Sequence, residues 1–252
     1  MGQRAESMRV AYNPNLVDIA KISPDQTNRL RERVATSNGS IRAFIHPFYE
    51  NNVKTQCYRD HLNGMYPKID DVSIGLHRLL HLQPNKTPPI FVFEEQRWFD
   101  QTAERILEMN IESGNIAYMV PTQRDTSSPR FSPIDTYDEN EKNWRKLILY
   151  FHEIGIQKIL IGGMRLTITS YSEFDSHNQK SKDLNSKDWR DQGIFFSLCV
   201  GNAFNHLVDD FEVDISYLTH PHSKADLELI IRGHWNLYTT PPRVIRDRLD
   251  YG

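Results

Sequence analysis

Five groups of side chains in this sequence have types and spacings that could do chemistry. Cys199, one of only two cysteines, stands in the opening turns of a predicted helix, where the helix dipole favours a nucleophilic thiolate. His46 and Glu50 follow a predicted strand and offer an imidazole and a carboxylate as the base that would activate it. In Ile161-Gly162-Gly163-Met164-Arg165, two glycines let backbone N–H groups approach an anion or carbonyl oxygen, and the guanidinium of Arg165 can clamp a carboxylate or phosphate. Glu94 and Glu95 supply a general acid or base whose pKa a neighbouring carboxylate raises. Finally, His77 and His81 lie at i, i+4 on a predicted helix, where two imidazoles can share a metal, and His220-Pro221-His222 adds two more.

Four of the five groups also have a plainer reading. Phe196, Cys199, Val200, Ala203 and Leu207 share one apolar stripe, in which a cysteine is a small hydrophobe. The glycines fit a tight turn in a crowded place. The paired glutamates suit a helix start, where acidic groups favour the dipole. Ten histidines make chance spacings common, so no metal is expected. The glycine turn matches neither a P-loop nor a GxGxxG fingerprint, and no motif calls for a cofactor.

Composition narrows the classes of function. The chain has 252 residues and a formal net charge of −3, with 30 basic and 33 acidic side chains intermixed. That balance provides no basic surface able to neutralise many phosphates, so nucleic acid is not an expected partner. No run approaches the roughly 20 apolar residues of a membrane helix, and the N-terminus lacks a signal peptide's apolar core. Cys57 and Cys199 lie far apart and form no CxxC pair, which fits reduced thiols in a cytoplasm. A small-molecule ligand is the expected partner.

The elements that must position these residues come from two alternating hydrophobic periods. Residues 1–39 read as a polar lead-in with one helix starting at Ser23-Pro24-Asp25, and residues 40–252 as a single domain. Nearly unbroken apolar runs at 41–45, 89–93, 115–120, 158–161 and 212–218 predict strands covered on both faces. Helical patterns occupy 72–82, 98–109, 144–154, 194–208 and 224–231, with Gly114 and Gly155 at expected helix ends. The alternation predicts a three-layer, Rossmann-like α/β sandwich around a mainly parallel, doubly wound sheet of about five or six strands. Two long polar stretches, Arg124–Glu141 and Ser170–Gln192, break the rhythm.

In such a sheet ligands bind beyond the carboxyl ends of the strands. That rule selects His46 and Glu50, Glu94 and Glu95, Thr122 and Gln123, Gly162, Gly163 and Arg165, and Thr219, His220 and His222. Three segments in order, Ile159-Leu160-Ile161-Gly162-Gly163, Cys199-Val200-x-x-Ala203 and Phe211-Glu212-Val213-Asp214-Ile215, resemble the C-terminal half of the isochorismatase-like cysteine hydrolases. The resemblance implies Cys199 as nucleophile in hydrolysis of an amide or related bond. It also exposes departures: the family's aspartate after the first strand is His46 here, its lysine has no clear counterpart, and the glycines lie far from Cys199. The expectation is a small-molecule-binding α/β protein, with Cys199, His46 and Glu50 in a catalytic role and Gly162, Gly163, Arg165, Glu94 and His220 holding substrate. Alternatives are a non-catalytic nucleotide or anion sensor over the same crevice and, third, a metal-dependent hydrolase.

Overall fold

A computed structural model describes residues 16–48, 71–82, 87–109, 115–123, 129, 139–170, 194–221 and 244–245. Eight strands form one sheet: β1 (Leu16–Asp18), β2 (Ser40–Ile45), β3 (Ile90–Glu95), β4 (Ala117–Thr122), β5 (Lys158–Ser170), β6 (Ile194–Ser197), β7 (Glu212–Pro221) and β8 (Val244–Ile245). Their order is β1-β4-β3-β2-β5-β7-β8, all parallel along this path, while β6 pairs antiparallel with the far end of β5. Among the described residues the α-helices are α1 (Pro24–Thr36), α2 (Asp71–His81), α3 (Phe99–Glu108), α4 (Glu139–Glu153) and α5 (Leu198–Leu207).

The apolar strands are covered on both faces, as their composition requires. Along β3, Phe91 and Phe93 point into a core shared with Leu30 and Val34 of α1, Trp144, Leu147 and Phe151 of α4, and Val200 and Ala203 of α5. Ile90 and Val92 point the other way, toward Leu76 and Leu79 of α2 and Ala103 and Ile106 of α3. This is the three-layer α/β sandwich that period-two burial dictates. Helix α1 begins where the sequence signals it: Ser23 caps the first turn, Gln26 returns the bond to the Ser23 N–H, and Pro24 occupies the first helical position. Residues 16–36 of the lead-in therefore belong to the sheet and its covering layer, through β1 against β4 and Leu30 in the core.

Several elements differ from expectation. The helix expected over 194–208 begins at Leu198, because Ile194–Ser197 pair with Thr167–Ser170 instead. Helix α4 starts at Glu139 rather than Trp144. The largest correction concerns β5, which runs through Gly162 and Gly163 to Ser170, so the two glycines form no turn. A Cβ on Gly162 would lie 2.6 Å from the Leu218 carbonyl oxygen, and one on Gly163 only 2.1 Å from that of Ile45. Gly163 also has a φ of +123°, so glycine is needed there for both space and backbone conformation. Opposite them β7 breaks register between Ile215 and Thr219. Its irregular backbone is satisfied locally: the Leu218 N–H donates to Ser216 Oγ, and Thr219 Oγ1 donates to the Ser216 carbonyl.

Gly155, with a φ of +85°, ends α4 as expected. Gly114 and the segments 224–231, 124–128, 130–138 and 171–192 lie outside the described residues. Among the described residues no helix is long and apolar enough to cross a membrane.

Candidate functional site at the carboxyl edge

From β2 the chain builds β3 and β4 to one side, then crosses back to place β5 on the other. The strand order thus reverses between β2 and β5, and the carboxyl ends of neighbouring strands diverge there. At this reversal Ile45 pairs with Gly163. His46, the next residue, takes a left-handed backbone with a φ of 48°. That conformation costs a β-substituted residue about 1 kcal/mol or more. Two contacts hold it: the His46 N–H donates to the Phe93 carbonyl at 2.8 Å, and ring Nε2 lies 3.1 Å from Thr122 Oγ1 at the end of β4. The imidazole therefore reaches across the end of β3, which lies between β2 and β4.

Buried polarity gathers at this edge. Of the ten buried polar or charged residues described, His46, Glu94, Glu95, Thr122, Ser216 and Thr219 all stand at or near the carboxyl ends of strands. Removing such groups from water is costly unless each finds a partner, so their concentration on one edge calls for a reason.

The two glutamates face opposite layers because strand side chains alternate. Glu94 points toward α3, accepting from Thr102 Oγ1 at 2.7 Å and from the Glu95 N–H at 2.9 Å. It is completely buried. Burial pushes its pKa up to about 7; the two hydrogen bonds and Arg105 oppose this, while the Glu95 charge adds to it. A carboxyl with a pKa near neutrality suits a general acid or base.

Glu95 points the other way, in register with Thr122. It too is completely buried. Its Oε2 takes an ion pair from Arg97 Nε at 2.5 Å, and the Arg97 guanidinium also lies over the Trp98 ring. Glu95 Oε1 has no hydrogen-bond partner among the described residues. A fully buried carboxyl with one oxygen open is the least explained group at the edge.

The remaining predicted residues divide. Cys199 is the second residue of α5, which starts at this same edge, but it is only 6% exposed and belongs to the core with Val200, Ala203, Phe204 and Leu207. Gly162 and Gly163 serve close backbone packing rather than an open anion cradle, as their short Cβ approaches require. Arg165 and His220 have backbone in β5 and β7, but their side chains lie outside what the structure describes, as do Glu50, Cys57 and His222. Helix α2 packs against β7, with Gly75 on Leu218, and carries His77 and His81 in its later turns. His81 Nδ1 lies 2.8 Å from the His77 carbonyl. Burial, His81 and Arg78 all lower the His77 pKa. Among the described residues no three His, Cys, Asp or Glu side chains gather to hold a metal.

Sequence reading did not assign partners to the paired glutamates. Thr102, eight positions after Glu94, meets it only because α3 folds back over β3. Arg97 follows Glu95 by two positions, and Glu95-x-Arg97 was a local signal that could have been noticed.

The chain matches no protein-family model. No curated protein or solved structure is significantly similar to it either. The function must be argued from this edge.

Proposed function

We propose that this chain binds a small polar molecule at the carboxyl edge, over the ends of β2, β3 and β4, and that Glu95 is the recognition group. The observation that carries this reading is the open Oε1 of a fully buried carboxyl beside the strand-order reversal. A carboxylate oxygen in so dry a place recognises a hydrogen-bond donor: an amine, an amide N–H or a hydroxyl. Strain at His46 and a proton-exchanging Glu94 beneath the same edge are the kind of arrangement found where ligands are held or proton transfer occurs.

The test is a thermal-shift panel of small amines, amides and polyols against the full chain, repeated with Glu95→Gln. A compound that raises the Tm of the native chain and loses that effect in the variant supports the reading. A panel without any stabilising compound, or stabilisation that survives the substitution, counts against it.

A second reading, hydrolysis of an amide or related bond by Cys199, is favoured by one observation: the thiol occupies the first turn of the helix that opens at this edge. There the dipole favours a thiolate. In this reading Sγ attacks the carbonyl carbon, His46 takes the thiol proton and returns it to the leaving amine, and water releases the acyl group. With Cys199 so buried, the mechanism requires α5 to open. Alkylation by iodoacetamide between pH 6 and 9 decides it: modification of the folded chain supports the reading, and a thiol inert throughout removes it.

A further inference from the structure

Helix α2 carries a pair of side chains that the reading above leaves unused. Leu76, Leu79 and Leu80 of this helix pack into the core, while His77 and His81 stand exposed in its later turns. Residues four apart on a helix lie one above the other on the same face. Two solvated side chains there gain little from contact and have room to splay apart. These two stay together, with ring centroids 4.3 Å apart and an interplanar angle of 47°.

The backbone orients one ring of the pair. His81 Nδ1 lies 2.8 Å from the His77 carbonyl oxygen, which can only accept, so Nδ1 carries the proton and Nε2 of the neutral ring keeps its lone pair. A histidine that donates one ring N–H to a backbone carbonyl and presents its other nitrogen has the usual arrangement of a metal ligand. The turn beneath is held as well: from just ahead of β4, Asn115 Nδ2 donates to the Leu80 carbonyl at 3.0 Å.

Electrostatics keep the pair neutral. Burial, the His81 ring and Arg78 each lower the His77 pKa, so near neutral pH its imidazole offers a lone pair rather than a second proton, as metal binding requires. Two imidazoles bonded to one ion through nitrogens about 2.0–2.1 Å away, roughly at right angles, have centroids about 4.5 Å apart. The spacing of His77 and His81 is close to this. His81 is also the last residue of α2, where the helix dipole favours a cation. The Arg78 charge works against one, which keeps the affinity modest.

We propose that His77 and His81 form a surface site for a divalent transition-metal ion of the class that imidazole prefers, such as zinc, nickel or copper. Two protein ligands leave the other coordination positions to water, so the ion exchanges with solvent. The site differs in this from a four-ligand structural centre and from a three-ligand catalytic one. It uses none of the residues of the carboxyl-edge reading, and either can fail without the other.

The experiment is calorimetric titration of the full chain with Ni²⁺ near neutral pH in a non-coordinating buffer, with Mg²⁺ as the control ion. His77→Ala and His81→Ala are compared with the native protein and with His152→Ala, which removes a different half-exposed histidine. The native chain is expected to bind Ni²⁺ but not Mg²⁺, an ion that prefers oxygen ligands. Each of the two α2 substitutions should abolish one equivalent of Ni²⁺ or weaken it at least by the roughly tenfold that loss of a ligand's outer partner costs, and His152→Ala should leave it intact. Absence of Ni²⁺ binding overturns the proposal, as does binding that survives either α2 substitution or falls equally with His152→Ala. Thermal unfolding without metal checks that the variants fold. Should His81→Ala lose the fold with its bond to the His77 carbonyl, His77→Ala decides alone: a loss of about tenfold or more supports the site, and unchanged binding overturns it.

Discussion

At the carboxyl edge of the sheet two fully buried carboxyls stand side by side, one with an open acceptor oxygen, whereas at the amino edge the Arg33 guanidinium stands beside the Tyr118 phenol. The contrast is chemical, and it extends to the backbone. The carboxyl edge is strained and irregular, with left-handed His46, glycines pressed against neighbouring strands and a register break in β7. The start of β4 at the amino edge pairs regularly with both β1 and β3. Natural cores tend to confine buried unmatched polarity to places where a ligand or a proton completes it. In this fold, deviation from regular packing and buried acidity coincide at one edge, while a guanidinium and a phenol meet on an otherwise regular one.

This comparison can be broken or sharpened by substitution. The largest effect is expected from Gly163→Ala, which sets a Cβ against the Ile45 backbone at a φ of +123°. It should cost more than about 3 kcal/mol, seen as a large fall in the urea midpoint or loss of soluble folded chain. A mild effect would mean that the strand reversal is not tightly packed.

Next is Glu94→Gln. A folded-state pKa raised from 4.5 to about 7 means that the native chain holds a proton the unfolded chain has lost. Stability is therefore fully present below about pH 4.5, falls as pH rises toward 7, and stays reduced above it. Removing the titration should flatten this pH profile. It should also stabilise the chain at pH 8 by up to about 3 kcal/mol, measured by denaturant unfolding at pH 5 and pH 8. The Gln variant tracking the native profile would remove Glu94 as a buried acid.

Thr122→Val takes the hydroxyl from the His46 ring and should cost about 1–2 kcal/mol in the same assay.

How much of this was legible in the sequence depends on how local each determinant is. The cap at Ser23, the apolar strand runs and the stripe through Trp144, Leu147 and Phe151 are local patterns, and they return as elements in place. Strand ends were misjudged where pairing, not composition, decides. Thr167–Ser170 lie beyond the strand expected over 158–161, yet they extend β5 because β6 supplies the partner strand. Gly162 and Gly163 looked like a turn because a sequence does not distinguish a glycine needed for a bend from one needed for closeness to the next strand.

For the site, the residue types at the carboxyl edge could be listed once a parallel sheet was assumed, and Glu94, Glu95, His46 and Thr122 were among them. Their partners could not, since Thr102 and Thr122 reach Glu94 and His46 only through tertiary packing. The amino-edge pair gave no signal. Arg33 and Tyr118 are far apart in sequence, and each separately reads as an ordinary helix or strand residue.

The central claim is that Glu95 is kept for binding rather than for stability, and the unfolding free energy of Glu95→Gln tests it most directly. If its open oxygen awaits a ligand, replacing a buried charge by a neutral amide that still accepts from Arg97 leaves stability unchanged within about 1 kcal/mol or raises it. A loss of about 3–5 kcal/mol, the usual result of breaking a buried ion pair that holds a fold together, would contradict the account.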